Sequence, residues 1–451
     1  MQLSEALGVH KGEIISLTGA GGKTTAMYRL ATELASQGWR VITTTTTMIR
    51  PPSSQQTQEL IVEDRLDQVL RLLSKVLPLR SPVTLASKRI TAENKLKGIE
   101  LAWVQQLKLR ADVVIIEADG SRGLPLKAPA AYEPVVPEET TLLIPVCGIS
   151  ALGQPLSSNA VHRPDLVAKL TGLAYNEPIT GEAIARVLLH PLGGLKGAPA
   201  QARVVPLINQ VDDGGLLAAA RLIAARVRNN PSVDRVLIGA AGSERPVLEN
   251  WRRVAAVVLA AGGSRRFGRP KQLLPVGQVS MVEHVLRTVL NANLKQVVAV
   301  LGSHAEEIAP HVPTGVQVIV NTDWASGISS SIRAGLSVLA PAIEAALFVL
   351  ADQPQLTQED LERIVLAYYG SDKSIVVPVW QAHRGSPALF DRRHFEALWT
   401  LQGDVGGRIV IRSHPECVLE VNLEKSQSLV DIDTPSDYET YSRTQPYASE
   451  E

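Results

Sequence analysis

The stretch Leu259-Ala260-Ala261-Gly262-Gly263-Ser264-Arg265-Arg266-Phe267-Gly268-Arg269-Pro270-Lys271 joins a flexible main chain of small residues to several fixed cations. Successive N–H groups of such a loop can close around phosphate oxygens, and Arg266 and Lys271 would neutralise the charge. That chemistry suits a nucleoside triphosphate. Taken alone, a Gly-rich loop is also an ordinary surface turn. A second element narrows the choice: the apolar run Ala346 to Leu350 leads directly to Asp352. Ligands of α/β sheets bind at the carboxyl ends of strands, and Mg²⁺ accepts one or two carboxylates together with phosphate oxygens. Loop and acid together describe a metal–nucleotide site.

The first half carries a separate phosphate signature in Glu13 to Thr25, where an apolar strand meets Thr18-Gly19-Ala20-Gly21-Gly22-Lys23-Thr24-Thr25 and a helix begins near Lys23. The usual G-x-x-x-x-G-K-[ST] spacing would need glycine at position 17, where Leu17 stands, so the match is to a shorter G-x-x-G-K-T loop. Lys23 is expected to approach β- and γ-phosphates and Thr24 to contact Mg²⁺, while the helix N-terminus adds partial positive charge. ATP or GTP would be the nucleotide. Asp112 to Glu117 is a further apolar strand running into acids, and Glu117 or Asp119 would hold Mg²⁺ through water. The threonines Thr43 to Thr47 end the strand Trp39 to Ile42. They suit phosphate or metal contact, but β-branched residues also simply favour strands.

These loops need sheets and helices to hold them. Val254 to Leu259 reads as a buried parallel strand, Val204 to Ile208 and Val236 to Ala240 as two more. Apolar spacing at Leu66, Val69, Leu70, Leu72, Leu73 and Val76 indicates an amphipathic helix. The turn-forming Ala241 to Pro246 precedes the second loop domain, which places a seam near 243–252. The tail Arg443 to Glu451 is expected to fray. The 451 residues, 45% hydrophobic and 20% charged, suffice for two or three cores.

Forty-five basic residues balance forty-five acidic ones, which argues against a nucleic-acid surface. Cys147 and Cys417 make neither a disulfide framework nor a zinc site. No membrane-spanning or secretory segment is visible, so a cytoplasmic location is expected.

Residues from about Val254 to Tyr438 resemble the molybdenum cofactor nucleotidyltransferases. The family pattern L-A-[AG]-G-x-S-x-R-[MF]-G-x-x-K is met at Leu259, Ala260, Ala261, Gly262, Ser264, Arg266, Phe267, Gly268 and Lys271, with Gly263 between. In that family Ala at the third position accompanies cytidylyl transfer, so Ala261 implies CTP. Asn321 to Ser331 resembles the segment lining the nucleotide pocket, which makes Asn321, Gly327, Ser329 and Ser330 binding candidates. The serines Ser329 to Ser331 would equally cap a helix. Arg384 to Pro387 resembles the acceptor-side loop, Gly403 to Arg408 the Gly-Asp-x-Gly element, and Asp431 to Pro435 the closing motif, with Asp433 as second metal ligand.

The resemblance implies that CTP and a molybdopterin-type cofactor give a dinucleotide and pyrophosphate, with Arg266, Lys271 and Asp352 as catalytic groups. The attacking phosphate is already ionised at neutral pH, so His304, His311, His383 and His394 need no catalytic role. Guanylyl transfer and transfer to a sugar phosphate are the competing reactions.

Residues from about Gly12 to Ala241 resemble the selenium-dependent hydroxylase accessory family, through Thr18 to Thr25, Thr43 to Thr47, Glu117 to Leu126, Val161 to Pro164 and Asn209 to Asp212. Asn209-Gln210-Val211-Asp212 is similar to the guanine-reading N-K-x-D of GTPases, with Gln210 in place of Lys. A role in maturing a molybdenum hydroxylase client follows from the resemblance. A nucleotide-dependent chaperone that only docks the client is the reading of another class. The expected architecture is α/β, two three-layer αβα domains with mostly parallel sheets: a P-loop-like domain over 1–245 and a nucleotide-diphospho-sugar-transferase-like domain over 253–440.

Overall fold

The computed structural model describes residues 1–292, 294–380, 383–423 and 429–444. The fraying expected of the tail concerns mainly 445–451, which lie outside these residues. Two compact units are present, Met1–Trp251 and Arg252–Glu451.

The sheet of the first unit runs in the order Val247–Trp251, Val236–Gly239, Leu207–Asn209, Leu142–Gly148, Glu13–Gly19, Val113–Glu117, Val41–Thr45, Val83–Ala86, Glu59–Val62. All neighbours on that path are parallel except the first pair. Strand residues alternate between two apolar layers, as period-two geometry demands. Ile15, Leu17, Val113 and Ile115 pack with Met27, Leu30 and Leu34 of helix Lys23–Ser36. Ile14, Val114 and Ile116 pack instead with Val69 and Leu73 of helix Leu66–Val76 and with Val104 and Leu107. Helices thus cover both faces, and the strand carrying the first Gly loop lies in mid-sheet beside the strand ending at Glu117.

Three boundaries differ from expectation. Thr43 to Thr45 lie inside the strand Val41–Thr45, fully buried, because their hydroxyls find partners there: Thr43 Oγ1 with Thr84 Oγ1 at 2.8 Å, Thr44 with the Leu85 carbonyl at 2.8 Å, Thr45 with the Glu117 carbonyl at 2.7 Å. The expected strand over 204–208 is two short pieces, Arg203–Val204 and Leu207–Asn209. The seam holds a strand, Val247–Trp251, antiparallel to Val236–Gly239. Its polar residues looked like linker, but the buried Glu249 carboxylate accepts from Arg221 and from the Trp251 indole, both at 2.8 Å. Asn250 donates to the Ala6 carbonyl at 3.1 Å.

In the second unit the order is Gln317–Val320, Gln296–Leu301, Val254–Ala260, Ala345–Leu350, Ala388–Asp391, Ile375–Trp380, His383–Arg384, with Val418–Asn422 also on Ile375–Trp380. The first four strands are parallel, and Ala388–Asp391 runs against them. Helix Ile328–Ser337 packs Ile332 and Leu336 onto Val257, Val298 and Val300. Gly335 allows that approach, because a Cβ there would stand 2.3 Å from Val257 Cγ1. The central strands Val254–Ala260 and Ala345–Leu350 end side by side, which delivers the Gly loop and Asp352 to one edge. Among the described residues no helix is long and apolar enough to cross a membrane.

Candidate functional site

At that edge a cavity of about 700 Å³ is bordered by Gly262 to Phe267, Lys271, Trp324 to Ile328, Ser331, Asp352, Asp404 and Asp433, among others. Lys271 Nζ donates to Asp352 Oδ2 at 2.6 Å, to Asp433 Oδ1 at 2.9 Å and to the Ile432 carbonyl at 3.1 Å. Burial works against the Lys271 ammonium, but Asp352 and Asp433 outweigh it and hold its pKa above the ordinary lysine value. Arg266 NH1 lies 3.6 Å from Asp433 Oδ2, largely exposed. The four charged groups named from the sequence therefore meet at one place.

Among the described residues the buried Asp352 Oδ1 has no hydrogen-bond partner, although Asp352 borders the cavity. A lone carboxylate oxygen of this kind costs free energy unless a cation or donor reaches it. The donor set of Asp352 and Asp433 beside the Gly loop fits a divalent cation with oxygen ligands. A third acid was missed in the sequence. Burial and the neighbouring Asp352 push the Asp431 carboxyl up to about 6, while Gln353 Nε2 donates to it at 2.8 Å. Its signal was available in the Asp-Ile-Asp triplet, whose alternate residues share one side of an extended chain.

Of the nucleotide-binding candidates, Leu259, Ala261, Gly262, Gly263, Ser264 and Gly327 border the cavity. Ala260, Asn321, Ser329 and Ser330 do not, because all four are buried behind it. Asn321 Nδ2 donates to Ser330 Oγ at 2.8 Å and to Ser331 Oγ at 3.1 Å, which fixes the helix start. The capping role also falls elsewhere: Gly327 is the N-cap at φ 109°, and the serines lie in the first helical turn. His304 bonds Glu307 and His394 bonds Ser374, and among the described residues no histidine borders the cavity.

The first unit presents a tighter arrangement. Lys23 is buried, its Nζ donating to the Gly19 carbonyl at 2.7 Å and lying 3.2 Å from Asp119 Oδ1. Thr24 Oγ1 donates to Glu117 at 2.7 Å. Lys127, which the sequence reading missed, lies 2.9 Å from Asp119 Oδ2 and 2.8 Å from Glu133 Oε2. Asp119 also accepts from the Gly19 N–H at 3.1 Å. Two ammonium groups, Lys23 and Lys127, thus already face the Asp119 carboxylate expected to hold Mg²⁺. Glu117 stands beside Thr24, and burial holds its carboxyl above the ordinary glutamate value although Lys23 works the other way. Gly21 and Gly22 adopt positive φ, and Thr25 begins the helix with Lys23 and Thr24. The cavity between Thr18, Gly19, Asp119 and Lys127 is about 20 Å³, room for one water.

Asn209 does not stand free to read a base. Its Nδ2 donates to the Gly21 carbonyl at 2.7 Å, and its Oδ1 accepts from the Ala241 N–H at 2.8 Å.

Residues 15–165 match the family described as YqeC protein, and residues 256–418 match the MobA-like NTP transferase domain. The chain is 36% identical over 200 residues to the uncharacterized protein YqeC of Escherichia coli (strain K12), a match covering 44% of this chain and 75% of that one. It is 32% identical over 194 residues to nicotine blue oxidoreductase of Paenarthrobacter nicotinovorans, covering 40% and 92%. It is 33% identical over 149 residues to a probable molybdenum cofactor guanylyltransferase of Pyrococcus horikoshii, covering 32% and 73%. The chain thus belongs to the YqeC proteins through its first unit and to the MobA-like NTP transferases through its second, both carried on one polypeptide.

Proposed function

We propose that the second unit transfers CMP from CTP to a molybdopterin-type cofactor and releases pyrophosphate. The observation that carries the reading is the meeting of Arg266, Lys271, Asp352 and Asp433 with the Gly loop around one cavity. A phosphate oxygen of the acceptor attacks the α-phosphorus of another polyanion, so the first obstacle is repulsion. Loop N–H groups and Arg266 hold the β- and γ-phosphates, and the Lys271 ammonium offsets the negative charge that grows on the α-phosphate oxygens in the transition state. Asp352 and Asp433 would hold Mg²⁺, which when bound would supply Lewis-acid neutralisation of phosphate oxygens. No side chain is needed as general base, since the attacking phosphate is ionised at neutral pH.

The relatives include a probable guanylyltransferase and an oxidoreductase, and the experiment distinguishes base choice and reaction class. Cytosine is favoured by Ala261, whose counterpart in guanylyl-transferring relatives is glycine. Incubating the protein and Mg²⁺ with molybdopterin cofactor and each of CTP, GTP and ATP, then weighing the product by mass spectrometry, decides reaction class and base together. A guanine dinucleotide would replace the cytidylyl reading, and no dinucleotide would end the transferase reading.

For the first unit the reading is a nucleotide-binding domain, with ATP or GTP on the Gly19 to Thr25 loop, that serves maturation of a molybdenum hydroxylase client. Glu117 and Thr24 form the metal side of that loop. Steady hydrolysis abolished by Lys23→Ala would support a nucleotide-driven step. Binding without turnover would favour a chaperone that only docks its client.

A further inference from the structure

Three carbonyls of the second Gly loop are tied into the protein. Gln272 Nε2 donates to the Ala260 carbonyl at 3.1 Å and to the Gly262 carbonyl at 2.9 Å. The Ser303 N–H takes the Ala261 carbonyl at 3.1 Å. The same Gln272 carboxamide accepts from Ser264 Oγ at 3.0 Å, and Ser264 Oγ accepts from the Lys271 N–H at 3.0 Å. Gln272 is only 3% exposed, between a catalytic lysine and two leucines. By contrast, among the described residues the N–H groups of Gly262, Gly263, Arg265 and Arg266 make no hydrogen bond to a protein acceptor. All four residues border the cavity.

We propose that Gln272 is a positioning residue: its buried carboxamide, itself at the cavity wall, ties up the carbonyls of Ala260 and Gly262, so that the Gly263 N–H, which shares a peptide unit with the Gly262 carbonyl, is left to face the β- and γ-phosphates. The proposal rests on the reading of this cavity as a triphosphate site. A peptide unit presents its N–H and C=O on opposite sides, so holding one carbonyl inward aims the next N–H outward. A loop of small residues has no side-chain packing to hold that orientation, and a carbonyl swung outward would repel the phosphates it should bind. One amide with two donor hydrogens and one acceptor oxygen meets all three demands, which aspartate, glutamate or an apolar residue cannot. Ser264, at φ 47°, is held in its left-handed conformation by the same contacts. The first unit contains a counterpart: Asn209 Nδ2 holds the Gly21 carbonyl, and its position requires Gly22, where a Cβ would stand 2.4 Å away.

The experiment compares the full chain with Gln272→Leu and Gln272→Glu. Isothermal titration in Mg²⁺ measures CTP and GTP beside CMP and GMP, with melting curves as the fold control. In Gln272→Glu the oxygen facing Ser264 is kept while the two carbonyls lose their donor, so this variant serves if the leucine variant fails to fold. Affinity for the triphosphate should fall at least tenfold in both variants, while the matching monophosphate changes less than twofold. KM for the nucleotide should rise more than kcat falls. Equal losses for triphosphate and monophosphate would reduce Gln272 to packing and overturn the proposal, as would unchanged triphosphate binding. A wild-type protein that binds neither CTP nor GTP would instead overturn the triphosphate reading itself, and this proposal with it.

Discussion

The Lys271 ammonium lies 2.6 Å from Asp352 Oδ2 and 2.9 Å from Asp433 Oδ1, so a side chain neutralises the two carboxylates on which a divalent cation would depend. A monovalent and a divalent charge about 4 Å apart repel by roughly 8 kcal/mol at an effective dielectric near 20, too much for both to share the pair. Phosphate oxygens offer the lysine an alternative partner. Metal binding is therefore expected to depend on nucleotide: Mn²⁺ measured by electron paramagnetic resonance should bind weakly alone and much more tightly with CTP. Lys271→Met should raise the affinity for Mn²⁺ alone about tenfold, near 1.4 kcal/mol. Equal Mn²⁺ affinity in variant and wild type would remove the competition.

Catalysis separates these same groups from mere binding. Asp352→Asn and Lys271→Ala should each lower pyrophosphate release at least 100-fold, about 2.7 kcal/mol of transition-state stabilisation, with melting behaviour largely kept. A coupled phosphate assay checks the rates, and near-normal turnover in both variants would defeat the site assignment.

Asp431 makes a prediction about pH. Burial and Asp352 raise its carboxyl to about 6, so the folded protein keeps a proton that the unfolded chain releases near its ordinary value of 3.8. Between those values the native state binds more protons than the unfolded state, and stability falls as pH rises. Asp431→Asn, which keeps an acceptor for Gln353, should stabilise the second unit above pH 6 by about 1–2 kcal/mol after discounting for partial exposure. The gain should vanish below about pH 4. Urea titrations at pH 7.5 and pH 4 measure it, and an equal effect at both would assign the stabilisation to something other than this proton.

The order of the second site was legible because its parts are local in sequence. Val254 to Lys271 is one strand and one loop, and Asp352 follows another strand, so periodicity and a short motif placed them. Gln272 and Lys127 were not legible, because each acts through a partner remote in sequence or through a main-chain carbonyl, whereas Asp431 left a signal in its alternation with Asp433. The hydroxyls of Thr43 to Thr45 illustrate the same limit from the other side. A threonine run beside a phosphate loop looks like ligand chemistry, yet cross-strand partners at Thr84, Leu85 and Glu117 absorb those hydroxyls. The strand Val247–Trp251 was hidden likewise, since its glutamate and asparagine find buried partners that only the folded chain supplies.

Lys127 tests whether the acids of the first unit depend on internal counter-ions. Its side chain is 0% exposed and touches Asp119 and Glu133. Burial pushes Glu133 up, but Arg163 and Lys127 outweigh it and hold its carboxyl at about 2, against an ordinary value of 4.5. The stability that Glu133 contributes is therefore present above pH 4.5 and is lost as pH falls towards 2. Lys127→Met leaves Asp119 with Lys23 alone and Glu133 with Arg163 alone, two acids in a site that water reaches poorly. Breaking such a pair from one side costs about 3 kcal/mol, so the unfolding midpoint of the first unit should drop markedly at pH 7. At pH 3 the wild-type protein has itself lost part of the Glu133 contribution, and the gap between variant and wild type should narrow. Urea unfolding at the two pH values checks both statements, and a difference that stays constant between them would show that the lysine acts through its aliphatic chain rather than its charge.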